Sequence, residues 1–142
     1  MISGAGLSQS GTKAVGETAL ETIGAIHGKI EDRVLRADIA RFELDEMAFA
    51  LTIERARDEV KAGVSLGAVS SWFKYFGTEL NKQRYNLLMD IGGSDALAWT
   101  GEASNEGKLA RDWLRTKGNS IEGGTSEIQL NVVAKHILGL PG

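Results

Sequence analysis

The sequence predicts an all-α protein, a single antiparallel bundle of four to five helices. Three observations carry this. Apolar residues recur at three- and four-residue spacing through two long runs, residues 31–61 and 67–90. No stretch alternates apolar and polar residues over the length of a strand. The glycines cluster at 4–28, 92–107 and 118–124, between the periodic runs, where they read as joints. At 142 residues the chain has the size of one domain and is long enough to bury a core.

Residues 1–11 are small and polar and read as a loose arm. Residues 12–26 carry Val15, Ala19, Leu20, Ile23 and Ile26, a first helix interrupted by Gly16 and Gly24 and ended by Gly28. Residues 31–61 are the strongest helix. Leu35, Ile39, Phe42, Phe49 and Ile53 form one apolar stripe; Ala40, Leu44, Met47 and Leu51 form a second. Two stripes predict neighbours on more than one side, inside a bundle. Gly63 stops this helix. The next runs from 67 to 90 on Val69, Trp72, Phe73, Phe76, Leu80, Leu87 and Leu88, and Gly92-Gly93 break it. Residues 94–106 read as loop with a short turn. Leu109, Trp113 and Leu114 mark a short helix over 107–117. Ile128, Val132, Val133, Ile137 and Leu138 mark the last, over 125–138. Ser126 is its predicted cap, with Gln129 three residues on as a capping box. Lys135 and His136 suit its C-terminal turn, and Gly139 and Pro141 follow.

Composition narrows the chemistry. A net charge of −3 and a pI near 5.4 leave no electrostatic footprint for nucleic acid or an anionic membrane surface. Without cysteine there is no disulfide framework, thiolate metal site or cysteine nucleophile. No apolar run reaches the roughly 20 residues that span a membrane. The N-terminus lacks the basic start and apolar h-region of a signal peptide. A cytoplasmic protein is the expectation. Neither His27 nor His136 stands three residues after a glutamate, so the Glu-x-x-His pattern of di-iron bundles is absent and no metal is expected. Gly6-Leu-Ser-Gln-Ser-Gly-Thr-Lys13 nearly spells a phosphate-binding loop, but its last two residues are in the wrong order and no apolar strand precedes it. Trp72, Phe73, Tyr75 and Phe76 stand at helical spacing and read as core or subunit interface.

The most informative stretch is Ile121-Glu-Gly-Gly-Thr-Ser-Glu-Ile-Gln129, a glycine loop feeding a helix. A helix start offers unpaired N–H groups and partial positive charge, a place to hold an anionic or carbonyl-rich ligand near the backbone. With its flanks, Asn119 to Asn131 and Ala134 to Pro141, this stretch resembles the C-terminal signature of the flavin-dependent acyl-CoA dehydrogenases. More loosely, Arg33–Arg57 is similar to the long helix opening the core of that family's C-terminal bundle. Lys74–Arg84 with Gly92-Gly93 is similar to its second long helix and glycine turn.

The resemblance implies the C-terminal domain of an enzyme that α,β-dehydrogenates acyl-CoA thioesters with FAD and passes electrons to an electron-transfer flavoprotein. It places Gly124 and Thr125 against the flavin or the acyl thioester, Gly123 beside the substrate, and Glu127 near FAD. It places Gly92 and Gly93 against the FAD of a neighbouring subunit. Many members carry the base glutamate immediately before Gly-Thr. Here that position is Gly123, and Glu122 stands one residue earlier. Glu122 is the candidate base by default. Other members supply the base from an earlier helix, where this chain offers Glu17 or Glu21. Met89 replaces the glutamine before the paired glycines, and Leu130 replaces the arginine after Ile-Gln. The family's N-terminal helical domain and β-domain have no counterpart in these residues, so the chain is not expected to catalyse alone. Apolar faces left without those layers predict self-association, most simply a dimer, or union with a second chain. The competing reading is a non-catalytic bundle that kept the fold and docks on a partner.

Overall fold

In the computed structural model, which describes Leu20 and residues 28–141, four α-helices form the domain. They are α1 (Arg33–Lys61), α2 (Val69–Gly92), α3 (Lys108–Gly118) and α4 (Ser126–His136). No strand occurs among the described residues. The expected helix over 12–26, the near phosphate-binding loop and His27 lie outside them, apart from Leu20.

Each boundary has a local cause. Asp32 caps α1, its Oδ1 accepting from the N–H groups of Val34 at 2.9 Å and Leu35 at 3.2 Å. Past Lys61 the chain turns through Gly63 at φ 87°, a conformation open to glycine. The short link to Val69 makes α1 and α2 an antiparallel hairpin. Gly93, at φ 60°, ends α2. Two 3₁₀ turns follow, Gly93–Leu97 and Glu102–Ser104, where the sequence predicts loop. Arg111 fastens this segment: its guanidinium lies 4.6 Å from the Trp99 ring centroid and donates to the carbonyl oxygens of Glu106 and Trp99. Gly139, at φ 66°, closes α4, and the Leu140 N–H returns to the Ala134 carbonyl at 2.9 Å.

α2 is the central element, packing against α1, α3 and α4 in turn. Leu20, Leu35, Ile39 and Phe42 bury against Leu80, Leu87 and Ile91. Each such side chain contributes about 1.5–3 kcal/mol by leaving water. Towards the hairpin loop the seam becomes aromatic: Trp72 stacks on Phe76 at 5.2 Å and 17°, with Phe49 against both. Phe49 and Phe76 pack against the core cluster, while Trp72 and Phe73 are only half-buried at its edge. Beside Phe42, Arg84 pairs with Glu46 across the two helices at 2.5 Å and sits 5.6 Å from the Phe42 ring centroid. Burial pushes the Glu46 carboxyl above its ordinary value, and Arg84 opposes that rise.

One expectation fails. The second stripe of α1 is not covered: Leu44, Met47 and Leu51 are 67, 63 and 59% exposed. Leu35, Ile39 and Phe42 already provide the face that meets α2, and no described helix lies on the other side.

Candidate functional site

The loop 119–125 lies between α3 and α4, laid along one face of α2. Four polar side chains of α2, at positions 74, 78, 81 and 82, share that face by helical spacing. Lys74 donates through Nζ to two loop carbonyls, Asn119 at 2.9 Å and Gly124 at 2.8 Å. Asn81 Nδ2 donates to Asn119 Oδ1 at 2.9 Å, Lys82 Nζ donates to Ser120 Oγ at 2.9 Å, and Thr78 Oγ1 reaches the Asn119 carbonyl at 3.5 Å. The Ser126 N–H closes the loop on the Ser120 carbonyl at 2.9 Å. A helix otherwise built for apolar packing thus carries a polar rail for this loop.

Gly123 and Gly124 take φ values of 63° and 96°, in the region glycine occupies without a side-chain penalty. Space around them differs. A Cβ on Gly123 would meet nothing within 4 Å, whereas one on Gly124 would lie 2.6 Å from Gln129 Nε2. Thr125 is the N-cap of α4, its hydroxyl oxygen accepting from the Ile128 N–H at 3.3 Å. The cap is therefore one residue earlier than the sequence pattern predicts. Gln129 is not a capping-box partner either; its Nε2 donates to the Gly123 carbonyl at 3.0 Å. Displaced from the cap, Ser126 is buried, and its Oγ has no hydrogen-bond partner. An unpartnered buried hydroxyl is costly and calls for an acceptor or donor from elsewhere.

The acidic residues occupy distinct settings. Glu122 is exposed and holds Arg115 of α3 in a two-point ion pair: Nη1 meets Oε1, and Nη2 meets Oε2 at 2.9 Å. The hydrogen bond from Arg115 is the main cause of its carboxyl lying below the ordinary value. Glu127 stands in the first turn of α4. Its carboxyl is also lowered, first by its own backbone N–H, then by the Thr125 hydroxyl.

Gly92 and Gly93 stand at the far end of α2. Eighteen residues separate Lys74 from Gly92, roughly 27 Å at the helical rise. The structure therefore brings Glu122, Gly123, Gly124, Thr125 and Glu127 together and leaves the glycine pair of α2 at a second location. There Met89, Asp90, Gly93 and Leu97 line an open pocket of about 310 Å³. Gly92 is required by close approach, since a Cβ on it would lie 2.7 Å from the Ala96 Cβ. Glu17 and Glu21 lie outside the described residues. Trp113 donates through Nε1 to Asn86 Oδ1 at 2.7 Å, which satisfies its indole N–H. No group of side chains suited to a metal ion occurs among the described residues, and no helix there is long and apolar enough to cross a membrane.

Comparison with known proteins places the chain in a family. Residues 4–138 match the family model for the acyl-CoA dehydrogenase C-terminal domain. The chain belongs to that family. It is 30% identical over 123 residues to the acyl-CoA dehydrogenase FadE34 of Mycobacterium tuberculosis, a match covering 86% of this chain and 16% of that protein. A solved structure described as a Tcur3481-Tcur3483 steroid ACAD, G363A variant, superposes with a TM-score of 0.67 at 20% identity. That match covers 96% of this chain and 40% of the other, and it shows the shared fold. The chain thus spans a minor part of the length of each relative.

Proposed function

We propose that this domain forms one wall of a flavin and acyl-thioester site in an acyl-CoA dehydrogenase that α,β-dehydrogenates acyl-CoA thioesters. The observation that carries the reading is the loop 119–125, held on α2 by Lys74 and delivering two left-handed glycines to the capped start of α4. The residues present fit FAD. A buried Ser126 hydroxyl lacks a partner, and open space stands over Gly123. A helix start adds donors for acceptor oxygens. Gly124, Thr125 and Glu127 would hold the cofactor at this site, with Gly123 and Gly124 beside the thioester. Gly92 and Gly93, roughly 27 Å away along α2, would meet the cofactor of a neighbouring subunit.

When bound, FAD supplies the acceptor for the hydride leaving the substrate β-carbon. The chain's own part is a carboxylate that takes the α-proton and donors that hold the thioester carbonyl. Glu122 is the candidate carboxylate within the described residues. Arg115 keeps it ionised, which readies it to accept a proton and also weakens it as a base. The alternative source is the earlier segment bearing Glu17 and Glu21. The complete enzyme is cytoplasmic, a homo-oligomer or a union with a second chain, and hands its electrons to an electron-transfer flavoprotein.

A second reading, a docking bundle without chemistry, draws on the pinning of Glu122 by Arg115 and on the exposed α1 stripe. A visible spectrum of the desalted chain, before and after adding FAD, separates the two. Flavin bands that elute with the protein, alone or joined to the remaining domains of a longer relative, are the expected result. A protein colourless in both forms would refute the enzyme reading. Dye-coupled turnover of an acyl-CoA by the 142-residue chain alone would refute the requirement for the other domains.

A further inference from the structure

The two carbonyls of the glycine pair have different captors. Gln129 Nε2 donates to the Gly123 oxygen at 3.0 Å, and Lys74 Nζ donates to the Gly124 oxygen at 2.8 Å. No described peptide bond is cis. In a trans peptide the carbonyl oxygen and the following N–H point in opposite directions. Holding the Gly123 oxygen therefore turns the Gly124 N–H away from Gln129, and holding the Gly124 oxygen turns the Thr125 N–H away from Lys74. Among the described residues neither N–H has an acceptor.

A glycine pair has no intrinsic preference that would fix these planes, because both signs of φ are open to it. Something outside the pair must select one arrangement. Lys74 does so from a rigid 24-residue helix, and it binds both limbs of the loop at once through Asn119 and Gly124. We propose that Lys74 and Gln129 are positioning residues that set the two peptide planes of Gly123-Gly124-Thr125 and present the Gly124 and Thr125 N–H groups as a fixed donor pair. The proposal rests on the flavin-site reading only for what those donors meet, an acceptor oxygen of the bound cofactor or thioester. The positioning itself is read without ligand.

The test is amide exchange by nuclear magnetic resonance on the whole chain, comparing wild type with Lys74→Met, Lys74→Arg and Gln129→Met. Lys74→Met should speed exchange of the tied loop amides, Glu122 and Ser126, by about tenfold or more while α1 and α2 core amides keep their protection. Lys74→Arg, which keeps a donor, should restore protection; a purely space-filling role would not distinguish it from Met. Gln129→Met should shift the Gly124 amide resonance. Gln129 lies in the first turn of α4 and is only partly buried, so this variant also decides the matter if Lys74→Met does not fold.

Loop exchange within about twofold of wild type in a folded Lys74→Met, or in its absence an unmoved Gly124 resonance in Gln129→Met, overturns the proposal. FAD titration of the same variants reads the ligand separately. Weaker binding by Lys74→Met, recovered in Lys74→Arg, supports both readings. No FAD uptake by wild type, alone or joined to the remaining domains, refutes the flavin reading, and the proposal then stands on the exchange result.

Discussion

Three glycines share left-handed backbone but not the same surroundings, and alanine at each separates strain from collision. Gly107, Gly123 and Gly124 have φ of 72°, 63° and 96°. Alanine in that region costs roughly 1–2 kcal/mol from the contact of its Cβ with the chain itself. At Gly123 nothing lies within 4 Å of the added carbon, so that is the whole expected loss. At Gly124 the carbon would lie 2.6 Å from Gln129 Nε2, the mobile end of a long side chain, which can swing aside by giving up its bond to Gly123. At Gly107 the carbon would lie 2.7 Å from the Trp99 carbonyl carbon, 2.9 Å from its Cα, and closer still to its oxygen. Those are backbone atoms, held from behind by Arg111, and they cannot yield cheaply. Overpacking adds roughly 1–3 kcal/mol, so Gly107→Ala should cost roughly 2–5 kcal/mol and Gly123→Ala roughly 1–2. Urea melts followed by far-ultraviolet circular dichroism give the order Gly123, Gly124, Gly107 if the m-values agree. A difference below about 0.5 kcal/mol between Gly107→Ala and Gly123→Ala would refute the steric argument.

Trp72→Ala should cost roughly 2–3 kcal/mol, below the 3–5 of a fully buried ring, because the indole is half-buried and stacked on Phe76; a denaturant melt showing less than about 1 kcal/mol would deny the stack a role. Thr125→Ala should cost about 1 kcal/mol and Thr125→Ser much less, since only the hydroxyl caps the Ile128 N–H; equal losses would place the cost elsewhere than in the cap. Arg115→Met should raise the Glu122 carboxyl towards its ordinary value, as read by a nuclear magnetic resonance pH titration. Because Glu122 is lowered in the folded protein, its stabilising contribution is present above the unfolded carboxylate pKa and is lost as pH falls through the folded one. The acid side of the stability curve should therefore flatten in Arg115→Met, and an unchanged titration would show the ion pair to be absent in solution. Light scattering at tens of micromolar should give a mass above the 15.2 kDa of one chain; a strictly monomeric mass would mean that the exposed α1 stripe is tolerated in water.

The helices were legible because their signals are local. Apolar spacing places α1 to α4 within about two residues of their observed ends, and Gly63, Gly93 and Gly139 act at the stops they mark. The site was legible only as a stretch of sequence. That Ser126 would be buried rather than capping depends on the loop's path over α2, which no spacing within 121–129 reports. Lys74, Thr78, Asn81 and Lys82 emerge as a polar line only in the fold, because their partners lie 38 to 50 residues away. Arg115 likewise reaches Glu122 across the α3–α4 turn. Long-range polar pairing leaves no periodicity behind.

The exposed stripe of α1 belongs to the same argument from the opposite side. Periodicity in a sequence records every contact a helix has been selected to make, whether or not the partner surface belongs to the same 142 residues. Leu35, Ile39 and Phe42 record α2 and are buried; Leu44, Met47 and Leu51 meet no described helix and stay exposed. A stripe without its partner is a liability for a free monomer, because contiguous exposed apolar surface favours association. The two readings of this chain predict different fates for it. If the domain is one wall of a larger dehydrogenase, joining the remaining domains should bury Leu44 and protect it from modification after Leu44→Cys. If it is a docking bundle, the same cysteine should become protected by self-association alone, with a concentration dependence that follows the dimer. The residue that decides between enzyme part and docking module is thus on α1, away from the glycine loop that carries the family signature.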